Sequence, residues 1–219
     1  MSSSHIQLVL PFGTRQHRAM VRFFVRIALS LVVLLCQGFS LSAAPPTKAG
    51  TYHDWDGTID SLTILRPFKL ASYKRIIVLP LDTTKVVRPP SDKNTFRAVE
   101  DVLAHSTDKF KEGIQRDLKN KAIPVHPAGN VAESLVIRGR ILVMDPGSQA
   151  ARSWIGFGAG AARVQIEGEL VDGRSSLVLA NFKQERRSGV GLLGGGYHAV
   201  LDRSLREIGE DVASILNAM

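Results

Sequence analysis

The stretch that decides the fold is LVIRGRILVMDPGSQAARSWIGFGAGAARVQIEGELVD, residues 135–172. At both of its ends apolar side chains alternate with polar ones, which is the period of a strand with one buried face. The apolar positions are Leu135, Ile137, Ile141 and Val143 in the first segment and Val164, Ile166 and Leu170 in the second. We therefore predict two antiparallel strands joined by a long glycine-rich loop.

The outward positions of these two strands carry opposite charges. Arg138 and Arg140 belong to the first strand, whereas Glu167 and Glu169 belong to the second. We predict that the arginines lie across from the glutamates. Exposed cross-strand pairs contribute about 0.2–1 kcal/mol each, so these pairs would set the register of the strands more than their stability.

The residues before this stretch predict one more strand and a helix. Residues 76–81 are a continuous apolar run, which is typical of a central strand covered on both faces. A helix capped by Ser91 or Asp92 follows, and its apolar positions keep helical spacing over residues 96–118. Within this predicted helix we interpret His105 as an ordinary surface residue.

The residues after the helix complete the expected fold. Residues 123–127 predict a short extended edge segment, because its two prolines cannot donate to a ladder. Residues 177–182 predict the third strand of a meander, and residues 198–218 predict a second helix. The predicted architecture is a two-layer α+β sandwich in the order strand, helix, three-strand meander, helix, with both helices on one face of a mainly antiparallel sheet.

Charge divides the chain into two parts. Residues 1–44 hold four arginines and no acidic residue, so the net charge of +8 falls to +4 for the remainder. In that remainder Lys and Arg are interleaved with Asp and Glu and form no basic stripe, which argues against binding to nucleic acid. The single cysteine lies within residues 1–44, so the rest of the chain cannot form disulfides.

An export signal accounts for the N-terminal segment. Residues 27–44 are uncharged and follow Arg22 and Arg26. A secretory signal has this basic start, then an apolar stretch and small residues before the cleavage site, here before Ala43. An uncleaved anchor helix over the same residues is the alternative. Met20 opens a signal of normal proportions and is a second candidate start of the chain.

The domain organisation follows from this signal. Lipid attachment at Cys36 is disfavoured, because large apolar residues precede it where a small residue is needed. We expect residues 1–44 to be the signal segment, residues 45–72 a linker or lead-in, and residues 73–219 a single α+β domain. The expected location is the periplasm or the envelope, after export across the inner membrane.

A short acidic motif lies in the expected linker. Asp54 and Asp56, in the sequence DWDGT, match the nucleophile motif of haloacid-dehalogenase phosphotransferases. That chemistry needs the Asp pair at the end of a buried parallel strand, which residues 48–53 cannot form. A metal site of His53 with the two aspartates lacks a fixed scaffold. We interpret the motif as solvated linker and predict neither catalytic nor metal-binding residues.

Two glycine-rich loops offer further motifs. Residues 156–161, GFGAGA, match a dinucleotide fingerprint, but that site needs a helix to follow, and here an alternating strand follows. Residues 188–196 lack the Lys-Ser/Thr ending of a phosphate loop. Anion binding there beside Arg186 and Arg187 is an alternative to a purely conformational role for the glycines. We predict no cofactor.

Large apolar side chains occur in both glycine-rich loops. They either fold back on the core or form an exposed patch for a partner or a membrane surface. On the second interpretation, the contact surface comprises Asp145, Arg152, Trp154, Gly156, Phe157, Gly158, Gly160, Leu192 and Leu193.

The deciding stretch also carries a family resemblance. Its DPGS, the Arg152 before an aromatic residue, the GFGAG turn and the ELVD ending resemble the bacterial domain-of-unknown-function family 4410. The likeness extends from about Tyr73 through the final helix. It implies an exported envelope protein without established activity, and many such proteins resemble lipoproteins. This chain departs from them because it lacks a lipid-attachment motif.

These observations favour a non-enzymatic envelope domain that binds an envelope protein, or associates with itself, through the glycine-rich loops. One alternative is an envelope hydrolase that brings Asp145, Arg152 and His198 together at one end of the sheet. A second alternative is a module that contacts lipid or peptidoglycan, with peripheral attachment to a membrane.

Overall fold

Seven strands form a mixed sheet in the computed structural model of this chain, which describes residues 45–89, 91, 94–147, 161–187 and 196–219. The strands are β1 (Gly50–Trp55), β2 (Ile59–Ile64), β3 (Arg75–Val78), β4 (Val125–His126), β5 (Ser134–Asp145), β6 (Arg163–Asp172) and β7 (Val178–Arg187). Their order across the sheet is β1-β2-β7-β6-β5-β3-β4. The meander of β5, β6 and β7 is antiparallel, as the sequence predicts.

The described part of the chain contains the helices α1 (Asn94–Ala104), α2 (Ser106–Asp117) and α3 (Tyr197–Ala218). Their apolar side chains share one core with the inward side chains of the sheet. The helices therefore cover one face of the sheet, as a two-layer α+β fold requires. The predicted apolar stripe of α3 is buried in this core and consists of Leu201, Leu205, Ile208, Val212 and Ile215.

The prediction of one helix over residues 96–118 is wrong, because the helix breaks at His105. The hydroxyl of Ser106 donates to the carbonyl of Leu103 at 2.9 Å, and this bond competes with the helical backbone for an acceptor. The amide of His105 bonds to the carbonyl of Val102, one residue short of helical spacing. The apolar periodicity continues across the break and therefore gave no sign of it.

The position of β3 also needs correction, because this strand lies beside the edge strand β4 and not at the centre of the sheet. It pairs in parallel with β5 on one side and with β4 on the other. A strand that is followed by a helical crossover returns in parallel, and α1 and α2 form that crossover. The edge segment predicted over residues 123–127 is confirmed as β4. Ile77 of β3 is buried on the side away from the helices, beside Val136 and Val171.

The prediction that residues 45–72 form a linker or lead-in is wrong for residues 50–64. They form the antiparallel hairpin of β1 and β2, and β2 pairs with β7. Trp55 is 2% exposed, and its indole nitrogen donates to the carbonyl of Pro46 at 2.9 Å. The acidic motif forms the hairpin turn, in which Asp54 and Asp56 have positive φ. The two prolines at positions 45 and 46, together with the glycines and aspartates around the turn, concealed two short strands.

The predicted inward position of Val143 is wrong, because β5 contains a bulge. The register with β6 shifts between Ile141 and Val143. Met144, rather than Val143, is therefore fully buried. One extra residue reverses the alternation of a strand, so a strict period of two assigned the wrong side chain to the core.

Candidate interaction site

Three neighbouring strands end side by side where the two glycine-rich segments leave the sheet. Asp145, at the end of β5, pairs in register with Arg163, at the start of β6. Arg163 pairs in turn with Arg187, at the end of β7. Residues 148–160 and 188–195 lie outside the described residues. Both segments therefore depart from the same end of the sheet, which we call the loop end.

Asp145 is the one described member of the hypothesised contact surface. Its carboxylate is exposed and accepts a hydrogen bond from the amide of Gly147 at 2.8 Å. Gly147 has a φ of +68°, a conformation that glycine adopts without steric cost. The other members lie outside the described residues and are Arg152, Trp154, Gly156, Phe157, Gly158, Gly160, Leu192 and Leu193.

A shared carboxylate organises the cations of the loop end. Glu185 accepts from Arg163 Nη2 at 2.7 Å, from Arg187 Nε at 2.6 Å and from Gln165 Nε2 at 2.9 Å. Its side chain is 13% exposed. Burial raises the pKa of Glu185, but hydrogen bonds and charge from the two arginines outweigh burial and lower that pKa below its ordinary value. The loop end thus has fixed charges at its base.

A buried network ties β7 to α3 on the helix side of the sheet. Asp211, on α3, accepts from Arg186 Nε at 2.7 Å and from Gln184 Nε2 at 2.8 Å. Oε1 of Gln184 accepts from the amide of Asp60, on β2, at 2.8 Å. Burial raises the pKa of Asp211, and the ion pair with Arg186 offsets part of that effect. The network therefore holds two strands and a helix together.

Two histidine–aspartate pairs join the first helical region to α3. His198 Nε2 lies 3.2 Å from Asp101 Oδ2, and His105 Nε2 lies 2.9 Å from Asp202 Oδ1. His198 was grouped with Asp145 in the hydrolase hypothesis, but each hydrogen-bonds to another group. Within the described ranges, no three His, Cys, Asp or Glu residues are arranged to hold a metal ion.

The face of the sheet opposite the helices carries the small apolar cluster of Ile77, Val136 and Val171 and, beside it, a charged surface. We call this the open face. The predicted cross-strand pairs are confirmed there: Arg138 Nε lies 2.5 Å from Glu169 Oε2, and Arg140 pairs with Glu167. A trough of about 730 Å³ crosses this face. Its charged lining residues are Asp82, Arg138, Arg140, Glu167, Glu169 and Lys183.

Asp82 extends the open face beyond the end of β3. Its backbone forms a parallel bridge with Arg140. Its carboxylate accepts from the amide and the hydroxyl of Thr84 at 2.9 and 2.7 Å. These hydrogen bonds lower the pKa of Asp82, and the charge of Arg140 lowers it further. Asp82 is therefore an anion at neutral pH.

Sequence reasoning missed the buried network, although a signal was present. Gln184 and Arg186 share the parity of Ala180 and Phe182, which are buried on β7. Asp211 likewise falls within the apolar stripe of α3. Polar residues at inward positions need partners, so opposite charges on a strand and a helix predict a buried pair.

The sequence matches the model of a protein family. The family model described as a domain of unknown function, DUF4410, matches residues 77–191. The chain belongs to this family, as the resemblance of its sequence indicated. The match runs from β3 into the second glycine-rich segment and includes Trp154 and Phe157, whereas β1, β2 and α3 lie outside it.

Two solved structures are weakly similar to this chain. A variant PelC dodecamer from Paraburkholderia phytofirmans is 11% identical, over 69% of this chain and 95% of that chain, with a TM-score of 0.43. A protein of the DUF330 family from Xanthomonas campestris is 10% identical, over 66% of this chain and 86% of that chain, with a TM-score of 0.39. Likenesses this weak carry no argument about function. Among curated proteins, none matches the sequence significantly.

The expected export signal and the alternative anchor helix both lie outside the described residues. No helix in the described residues is long and apolar enough to cross a bilayer. The export signal expected over residues 27–44 lies outside those residues, so its cleavage or retention stays a prediction.

Proposed function

We propose that this chain is an exported envelope protein whose domain catalyses no reaction. In this proposal the domain binds a protein partner, or further copies of itself, through the two glycine-rich segments of the loop end. The adjacency of Asp145, Arg163 and Arg187 carries the proposal, because it brings the origins of both segments together. Loops that share one edge of a rigid scaffold are a common way to build a binding surface.

The connection between β5 and β6 is longer than its geometry requires. The two strands are adjacent and antiparallel, and such strands are usually joined by roughly two to five residues. Residues 146–162 exceed that range several-fold and contain Trp154 and Phe157. Long loops in compact domains usually serve binding or catalysis, so this loop is favoured as a recognition element.

The side chains at the strand ends from which the two segments depart favour binding over catalysis. Glu185 is committed to Arg163 and Arg187, which fixes the side chains around the loop origins. The described members of the hydrolase hypothesis have other partners, since Asp145 accepts from Gly147 and His198 contacts Asp101. A general base in reach of a nucleophile would have supported that hypothesis.

Replacement of both Trp154 and Phe157 by alanine tests the contact surface. We expect the yield of cross-linked and co-purified partners of the exported protein to fall about tenfold or more, because aromatic anchors account for much of the affinity of an interface. Leu177→Ala is the matched control. Leu177 is 45% exposed and lies beyond the opposite ends of the strands, so its loss should leave the partners unchanged.

Two results would overturn this proposal. One is an unchanged set of cross-linked and co-purified species in the double variant. The other is a fall of many degrees in Tm for the double variant but not for Leu177→Ala, which would show that Trp154 and Phe157 cover the core.

Export is tested separately by the mass of the mature N-terminus and by cell fractionation. We expect a chain that begins at Ala43 and is found in the periplasm or envelope. A retained segment over residues 27–44, together with sedimentation in membranes, would identify an anchored protein. Sedimentation of the cleaved chain with membranes or sacculi would favour the lipid or peptidoglycan contact module.

A further inference from the structure

The open face carries one row of charges that alternate in sign. The register places Lys183, Glu167 and Arg140 side by side on β7, β6 and β5. Asp82 is bridged to Arg140 on the far side. From Lys183 on β7 to Asp82 beyond β3, the charges of the row are positive, negative, positive and negative. Relative to a line that runs between β5 and β6, Glu167 and Arg140 lie at equal distances on opposite sides and have opposite charges. Lys183 and Asp82, further out, have the same relationship.

We infer that the open face binds the open face of a second copy of this chain. The two copies are related by a two-fold axis that runs along the strands between β5 and β6. Rotation about this axis sets Lys183 against Asp82 of the partner subunit, and Glu167 against Arg140 of the partner subunit. A two-fold interface must be self-complementary, and facing potentials of opposite sign fix the register and the choice of partner.

The neighbouring row along the strands obeys the same rule. Arg138 and Glu169 are paired across β5 and β6, so the rotation sets each against the opposite charge. Asn181, next to Glu169 on β7, and Leu79, beyond β3, are uncharged outer members of the trough lining. In these two described rows the rotation brings no like charges together.

The outer charges of the alternating row are available to a partner. Lys183 is exposed and makes no ion pair within the described part of the chain. The carboxylate of Asp82 is held by Thr84 rather than by a cation. Arg140 and Glu167 already pair within one chain. The contact between Lys183 and Asp82 occurs twice in the dimer and supplies the new attraction.

The size of the open face suits a dimer. Five adjacent strands spaced about 4.8 Å apart, with up to about ten residues at about 3.3 Å each, offer at most roughly 800 Å². A stable interface of standard size buries about that area on each partner.

Charge reversal with complementation tests this interface in the purified exported protein by sedimentation equilibrium at low ionic strength. Lys183→Glu sets acidic side chains against Asp82, and Asp82→Lys sets basic side chains against Lys183. Each variant alone should raise the dimer Kd roughly tenfold or more, since the repulsion occurs twice. An equimolar mixture should recover the affinity of the wild type, because both outer contacts become attractive again.

Two further variants separate the interface from the fold and from net charge. Arg140→Glu combined with Glu167→Arg keeps the cross-strand pair and should still form dimers with itself. Mixed with the wild type, this double variant should favour like-with-like dimers roughly tenfold, because mixed dimers set equal charges together. Lys119→Glu makes the same charge change outside the open face and should leave the Kd unchanged.

The inference is overturned if the wild type is monomeric at about 100 μM, a concentration at which even weak dimers form. It is also overturned if the mixture of Lys183→Glu and Asp82→Lys associates no better than either alone. Self-association that is lost with Trp154 and Phe157 but insensitive to these charges would reject the open face and support the loop end. The reverse pattern would reject the loop end as the site of self-association.

Discussion

Arg186 and Asp211 join the sheet to its last helix. Nε of Arg186, on β7, donates to Oδ2 of Asp211, on α3, at 2.7 Å, and a second guanidinium nitrogen contacts the other carboxylate oxygen. Asp211 is 4% exposed, whereas the side chain of Arg186 is 35% exposed. The buried carboxylate therefore depends on Arg186 for the favourable interactions that water would otherwise supply.

Arg186→Met should lower the free energy of unfolding by about 3 kcal/mol, because removal of one partner leaves a buried charge unpaired. Urea denaturation followed by circular dichroism measures this change. Addition of Asp211→Leu should restore part of the loss, since the unpaired charge is then removed as well. Lys183→Met changes a cation of the same strand on the open face and is the control. An equal loss in both single variants would contradict the role of the pair.

Two glycines allow α2 and α3 to cross closely. A Cβ atom at Gly113 would overlap the backbone carbonyl of Arg206, and one at Gly209 would overlap that of Phe110. Gly113→Ala or Gly209→Ala should each lower the free energy of unfolding by about 1–3 kcal/mol, because overpacking forces the helices apart. Gly196→Ala meets open space and changes only the N-cap of α3, so it should cost at most about 1 kcal/mol. Thermal unfolding of the three variants measures these changes. A neutral result at Gly113 would refute the close crossing.

Glu185 should make stability depend on pH on the acidic side. Its pKa is lower in the folded state than in the unfolded chain, as burial is outweighed by Arg163 and Arg187. Its contribution is therefore complete above the ordinary glutamate pKa and is lost as pH falls through the lowered value. Glu185→Gln should be less stable than the wild type at pH 7, and the two should converge at low pH in urea denaturation. A difference that stays constant with pH would exclude this origin.

Trp55 should prove essential to the fold, although it lies in a stretch with the composition of a linker. It is 2% exposed and hydrogen-bonds to Pro46, so Trp55→Ala should cost about 3–5 kcal/mol of unfolding free energy. Trp55→Phe keeps an aromatic ring and loses the hydrogen bond, and should cost less. Limited proteolysis gives a second measurement, because residues 50–64 should be protected in the wild type. Rapid cleavage there would contradict the hairpin.

The alternation of side chains made the meander predictable. Because period two governs both strands, the sequence predicted that the two arginines of β5 lie across from the two glutamates of β6. The structure pairs Arg138 with Glu169 and Arg140 with Glu167. The same rule failed at Val143, since a bulge adds a residue that no periodicity announces. The alternation of side chains is a local property. It predicts which side chains point inward only as far as the strand continues without a bulge.

Longer-range features were less accessible from the sequence. The parallel pairing of β3 depends on how the chain returns after α1 and α2, which side-chain patterns alone do not encode. The break at His105 coincides with a local hydrogen bond from the hydroxyl of Ser106 to the carbonyl of Leu103, which apolar spacing does not reveal. Of the candidate site, the sequence predicted which segments are unusual, and the structure adds that both begin at one end of the sheet.

The order of strands has a consequence for when this domain can fold. β2 lies near the start of the described chain, yet its partner on the inner side is β7, the last strand of the described residues. An isolated two-stranded hairpin is marginally stable at best, so β1 and β2 gain support only after most of the chain has emerged from the ribosome. Such non-local pairing delays folding, so the hairpin of β1 and β2 can join the sheet only after β7 has been made.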